Sequence, residues 1–80
     1  MLVKKMLFIY NPMAGKEQIR NQLSDIIQVL CAGGFEITIF ATQRKEDATN
    51  IVKERGEEFE YVVCSGGDGT MNEVASGLMA

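Results

Sequence analysis

Three short apolar runs, residues 3–10, 35–41 and 61–64, constrain this chain more than any other feature. Each is rich in β-branched or aromatic side chains and too short for a buried helix, so each reads as a strand. The stretches between them are too long for hairpins and carry a helical pattern. After the first run, Ile19, Leu23, Ile26, Ile27 and Leu30 recur at the helical period, and Gly33-Gly34 closes that helix with a left-handed cap. The second run sets Phe35, Ile37, Ile39 and Ala41 against Glu36, Thr38 and Phe40, an alternation suited to a place near a sheet edge. A shorter helix follows from about Glu46 to Arg55, with Ala48, Ile51 and Val52 inward and Gly56 at its end. Residues 71–80 read as the opening of a third helix. The order β-α-β-α-β-α predicts right-handed βαβ units and a parallel sheet, a Rossmann-like three-layer α/β/α arrangement.

In such sheets ligands bind beyond the carboxyl ends of the strands. The loops expected at that edge are 11–16, 42–45 and 66–70. The last of these, Gly66-Gly67-Asp68-Gly69-Thr70, is dense in glycine and leads into a helix. Glycines let a ligand approach the backbone, and free N–H groups at a helix start favour an anion. A carboxylate in such a turn repels phosphate unless a cation lies between. Asp68 therefore points to Mg²⁺, held directly or through water, or to a hydrogen bond with a nucleotide hydroxyl. The plainer alternative is that glycine and aspartate serve only the turn, and that Thr70 and Glu73 form an S/T-x-x-E capping box. Neither G-x-G-x-x-G nor G-x-x-x-x-G-K-[ST] is present.

Eighty residues make at most one small domain. The formal charge of −3 argues against a general nucleic-acid binder. Lys4, Lys5, Lys16 and Arg20 make the start of the chain basic, and Glu46, Asp47, Glu54, Glu57, Glu58 and Glu60 form an acidic run expected on a solvated helix face. Cys31 and Cys64 match no metal or redox spacing, there is no histidine, and buried free thiols in a reducing cytoplasm are expected. No run is long enough for a signal-peptide core or a membrane span, which makes the cytoplasm the expected location. Three parallel strands need covered faces and edges, so the chain reads as a fragment of a larger domain.

The block Tyr10-Asn11-Pro12-Met13-Ala14-Gly15-Lys16, Thr42, and the block Gly66-Gly67-Asp68-Gly69-Thr70-Met71-Asn72-Glu73-Val74 together resemble the N-terminal part of the diacylglycerol kinase catalytic domain. Bacterial soluble lipid kinases and sphingosine kinases share the arrangement. The resemblance covers essentially the whole chain. It implies the N-terminal part of a nucleotide-binding lobe, with a β-rich C-terminal lobe outside residues 1–80. It further implies ATP and Mg²⁺ as cofactors, and transfer of the γ-phosphoryl group to the hydroxyl of diacylglycerol or a related lipid. Carried over by position, Asn11, Pro12, Met13, Ala14, Gly15, Thr42, Gly66, Gly67, Asp68, Gly69, Thr70, Met71 and Asn72 would contact the nucleotide, with Asp68 on the metal. Lys16 would either neutralise phosphate charge or sit solvated on a first helical turn. Thr42 would contact the nucleotide or cap its loop. No catalytic residue is expected here, because the family's general base belongs to the later lobe, so the fragment alone would be inactive. Peripheral membrane contact through that lobe and homo-oligomerisation belong to the same expectation. An NAD kinase, which shares the glycine-aspartate turn, and a non-catalytic α/β interaction module are the alternatives.

Overall fold

The computed structural model describes residues 3–12, 18–66 and 68–79. Its elements follow in order: β1 (Lys4–Tyr10), α1 (Gln18–Ala32), β2 (Phe35–Ala41), α2 (Asp47–Arg55), a 3₁₀ turn (Gly56–Glu58), β3 (Tyr61–Ser65) and α3 (Asp68–Met79). The strands form one parallel sheet in the order β2-β1-β3. Going from β1 out to β2 and then back past β1 to β3 reverses direction. Right-handed crossovers then place α1 and α2 on opposite faces. The fold is the expected three-layer α/β/α type.

Because β1 is central, it is buried on both faces, and its run Met6-Leu7-Phe8-Ile9 shows no polar alternation. Leu7 and Ile9 point to the side of α2 and α3, where they pack with Ala48, Ile51, Val52 and Val74. Phe40, Val62 and Cys64, which share their face by register, close around that core. The inward residues expected of α2 are its buried ones. Met6 and Phe8 face the other way, toward α1, whose Leu23, Ile26, Ile27 and Leu30 are only half-buried.

Gly34 ends α1 with φ 93°, a left-handed residue that suits glycine. Three expectations are revised. Phe40 packs on the core while Ile39 is 41% exposed, because β2 offers both faces to helix layers and the α2 side takes the larger ring. Cys31 is exposed rather than buried, as the penultimate residue of a helix that is half-buried at best, and Cys64 is intermediate. The third helix begins at Asp68, not Met71, so the glycine turn is shorter than it reads.

Candidate functional site at the strand ends

Register brings Tyr10, Ala41 and Ser65 level at one edge of the sheet. The loops leaving them are tied together by backbone. The Asn11 N–H donates to the Ser65 carbonyl at 3.1 Å, and the Thr42 N–H donates to the Tyr10 carbonyl at 2.9 Å. Beyond this edge lies a cleft of about 200 Å³. Its walls are Asn11 after β1, the loop residues Thr42, Gln43, Arg44 and Lys45 after β2, and Thr70 and Glu73 on α3. Small-molecule pockets usually span about 300–1,000 Å³, so this cleft has room for part of such a ligand rather than all of it. Among the described residues two other recesses are larger, one between α2 and α3 and one along α1. Neither lies at the strand ends, and the α1 recess is lined mainly by a single exposed helix face.

Thr70 occupies the third position of α3 and is 6% exposed. A Cβ on Gly66 would lie 2.7 Å from Thr70 Oγ1 and 3.0 Å from Thr70 Cβ, so Gly66 is glycine to let α3 fold back on the turn. A Cβ on Gly69 would meet nothing within 4 Å, and that backbone lies open. With the helix beginning at Asp68, Thr70 is not its N-cap, and the capping-box reading of Thr70 and Glu73 is set aside. Instead the Thr49 hydroxyl donates to the Glu73 backbone carbonyl at 2.7 Å, locking α3 to α2, and Glu73 lines the cleft. The first N–H groups of α3 have no acceptor within the helix. They form the positive end of its dipole.

Thr42 is buried, and its hydroxyl donates to the Tyr10 carbonyl at 3.4 Å. It therefore both caps its loop and forms cleft wall. Met71 and Asn72 are exposed on α3 outside the cleft lining. Pro12 forms the turn after Asn11. Met13, Ala14, Gly15, Lys16, Gly67 and the Asp68 side chain lie outside the described residues. Arg44 and Lys45 also line the cleft, although no motif in the sequence singles them out. Their loop's place at the ligand edge was the available signal. Among the described residues no cluster of three or more His, Cys, Asp or Glu side chains could hold a metal ion alone. No described helix is long and apolar enough to cross a membrane.

A doubly wound parallel α/β unit with a polar, cation-bearing cleft at its strand ends is thus defined. The diacylglycerol kinase catalytic domain family matches residues 5–80. The chain belongs to that family. It is 39% identical over 77 residues to the diacylglycerol kinase of Bacillus subtilis (strain 168), covering 95% of this chain and 25% of that protein. It is 40% identical over 77 residues to the diacylglycerol kinase of Staphylococcus carnosus (strain TM300), with coverages of 94% and 25%. A crystal structure of a diacylglycerol kinase from Bacillus anthracis str. Sterne is similar with a TM-score of 0.82 and 32% identity, over 92% of this chain and 27% of that one. The chain spans about a quarter of the length of the curated relatives it matches.

Proposed function

We propose that this chain supplies part of the ATP site of a lipid kinase that transfers the γ-phosphoryl group of ATP to the hydroxyl of diacylglycerol, giving phosphatidic acid. The observation that carries the reading is the meeting of Asn11, Thr42 and Thr70, from two loops and the first turn of α3, around one cleft with Arg44 and Lys45. Phosphoryl transfer asks little covalent chemistry of the protein and much positioning and charge. The open position at Gly69 and the start of α3 would offer an anion N–H groups and the positive end of a dipole. Arg44 and Lys45 add positive charge, and the hydrogen bond from Thr42 to Tyr10 keeps the cleft floor fixed.

Magnesium at a phosphate site is ordinarily held by one or two carboxylates completed by substrate phosphates and water. Asp68, at the first position of α3, would hold it, and Glu73 is the carboxylate that lines the cleft. Bound there, Mg²⁺ would offset the charge between that carboxylate and the phosphates. The general base and the lipid-facing surface belong to the β-rich lobe we assign beyond these residues.

The test is a labelled-ATP assay on the full-length protein carrying this segment, with diacylglycerol or NAD as acceptor. Labelled phosphatidic acid is the expected product, and Asp68→Ala should weaken Mg-ATP binding. Label appearing on NAD, or no Mg-ATP binding at all, would overturn the assignment.

A further inference from the structure

We propose that Asp47, which is not part of the cleft wall, is a positioning residue that sets the loop bearing Arg44 and Lys45 against the ligand. The inference deepens the nucleotide reading of the cleft and rests on it. One oxygen of the Asp47 carboxylate, Oδ2, accepts the Gln43 N–H at 2.7 Å and the Arg44 N–H at 3.1 Å. The Asp47 N–H returns a bond to the Arg44 carbonyl at 3.3 Å, so the loop closes on itself. Beside it, Glu46 sits at φ 71°, ψ −2°, a left-handed conformation unusual for a residue with a side chain. Such a residue keeps that shape only where its surroundings over-determine it. The carboxylate clamp supplies that constraint at the start of α2.

The loop held this way contributes three of the cleft-lining residues, Gln43, Arg44 and Lys45. Gln43 is itself tethered, its Nε2 donating to the Ala41 carbonyl at 3.3 Å. Long cationic side chains lose freedom when they bind, and a fixed backbone beneath them lowers that loss. A second consideration separates positioning from charge. Asp47 is negative and stands near a site read as anion-binding, so a purely electrostatic role predicts tighter binding when its charge is removed. Positioning predicts the reverse whenever the acceptor goes with the charge.

Mg-ATP affinity of the full-length protein carrying this segment, measured by calorimetry, discriminates. Asp47→Ala should weaken binding about tenfold, the scale expected when two ordered side chains lose their support. Asp47→Asn keeps an oxygen acceptor and should hold affinity at or above that of the parent. In an Arg44→Gln/Lys45→Gln background, itself weaker than the parent, adding Asp47→Ala should change little, because the clamp then has nothing to deliver. Asp47→Glu keeps the charge but shifts the acceptor; it should weaken binding too, and serves where Asp47→Ala does not fold. Undiminished affinity in the Ala or Glu variant, equal loss in the Asn and Ala variants, or an Asp47→Ala loss that persists in full in the double-mutant background overturns the inference. If the parent binds Mg-ATP and Arg44→Gln/Lys45→Gln binds equally well, the nucleotide reading stands and the inference falls. If the parent does not bind Mg-ATP, both fall.

Discussion

The two faces of the sheet are built to different standards. On the face carrying α2 and α3, Leu7 and Ile9 are fully buried, and the helices touch closely enough that Gly77 is needed between them. Under α1, Met6 and Phe8 are also buried, yet Ile39 is 41% exposed and Val29 on the helix is 71% exposed. On that face the sheet's other end is finished by surface aromatics: Lys4 lies over the Phe35 ring, which meets Tyr61 edge-on at 5.3 Å. The cleft shares elements with the tighter face, since Thr70 and Glu73 belong to α3 and the loop at 43–45 feeds α2. A site built on rigid elements keeps its geometry better than one on loosely held ones. The closely packed layer is thus the one that holds the polar groups in place.

The sharpest way to break this contrast is to cut equal side chains from both layers. Leu7→Ala removes a side chain that is 0% exposed and should destabilise the intact protein by about 2–5 kcal/mol. Ile26→Ala, on half-buried α1, should cost only about 1 kcal/mol, in proportion to the smaller area it hides. Urea midpoints with unchanged slopes measure both. Equal losses would mean that the faces do not differ as their burial suggests.

Gly77 sharpens the comparison by adding atoms instead of removing them. A Cβ there would lie 2.8 Å from Val52 Cβ and 2.9 Å from the Thr49 carbonyl oxygen, the latter a backbone atom with little room to yield. Gly77→Ala should therefore destabilise by about 1–3 kcal/mol, even though alanine favours helix by about 1 kcal/mol. Val29→Leu, adding bulk on exposed α1, should stay within about 0.5 kcal/mol. A neutral Gly77→Ala would show that α2 and α3 can separate without penalty.

Much of this layering was legible before any coordinates. The spacing of Ala48, Ile51 and Val52 marks the inner face of α2, because burial on a given side leaves a periodic trace. The strand-to-helix order also brought three loops to one edge. What stayed hidden depends on partners the pattern does not encode. Gly69 disfavours helix interiors, so the helix seemed to start after Thr70, yet at a first turn glycine is tolerated and α3 begins at Asp68. Gly66 reads as a ligand-facing glycine, and the pattern gives no sign that it also makes room for Thr70. The clamp from Asp47 to residues 43 and 44 was invisible because an aspartate in an acidic run reads as solvated surface.

The smallest effect belongs to the edge where the tight face meets water. Arg55 grips Glu58 with two bonds, Nε to Oε2 at 3.1 Å and Nη2 to Oε1 at 3.2 Å, while lying over the Phe59 ring. Both side chains are about half exposed, so solvent screens the pair. The hydrogen bond from Arg55, joined by the charges of Arg55 and Lys5, still holds the Glu58 carboxyl below its ordinary value of 4.5. A carboxyl depressed by folding lends stability above its unfolded value and loses it as pH falls through the folded one. Glu58→Gln should therefore be slightly less stable than the parent at neutral pH and low salt. The difference should shrink with added salt and vanish once the medium is more acidic than the folded carboxyl. The same hydrogen bond and charge from Glu58 raise Arg55 above its ordinary value, so its side of the pair stays charged throughout that range. A large loss in Glu58→Gln that shrank with salt and vanished in acid would place more of the strength of this face in its ion pair, and less in Leu7, Ile9 and the helix contact at Gly77.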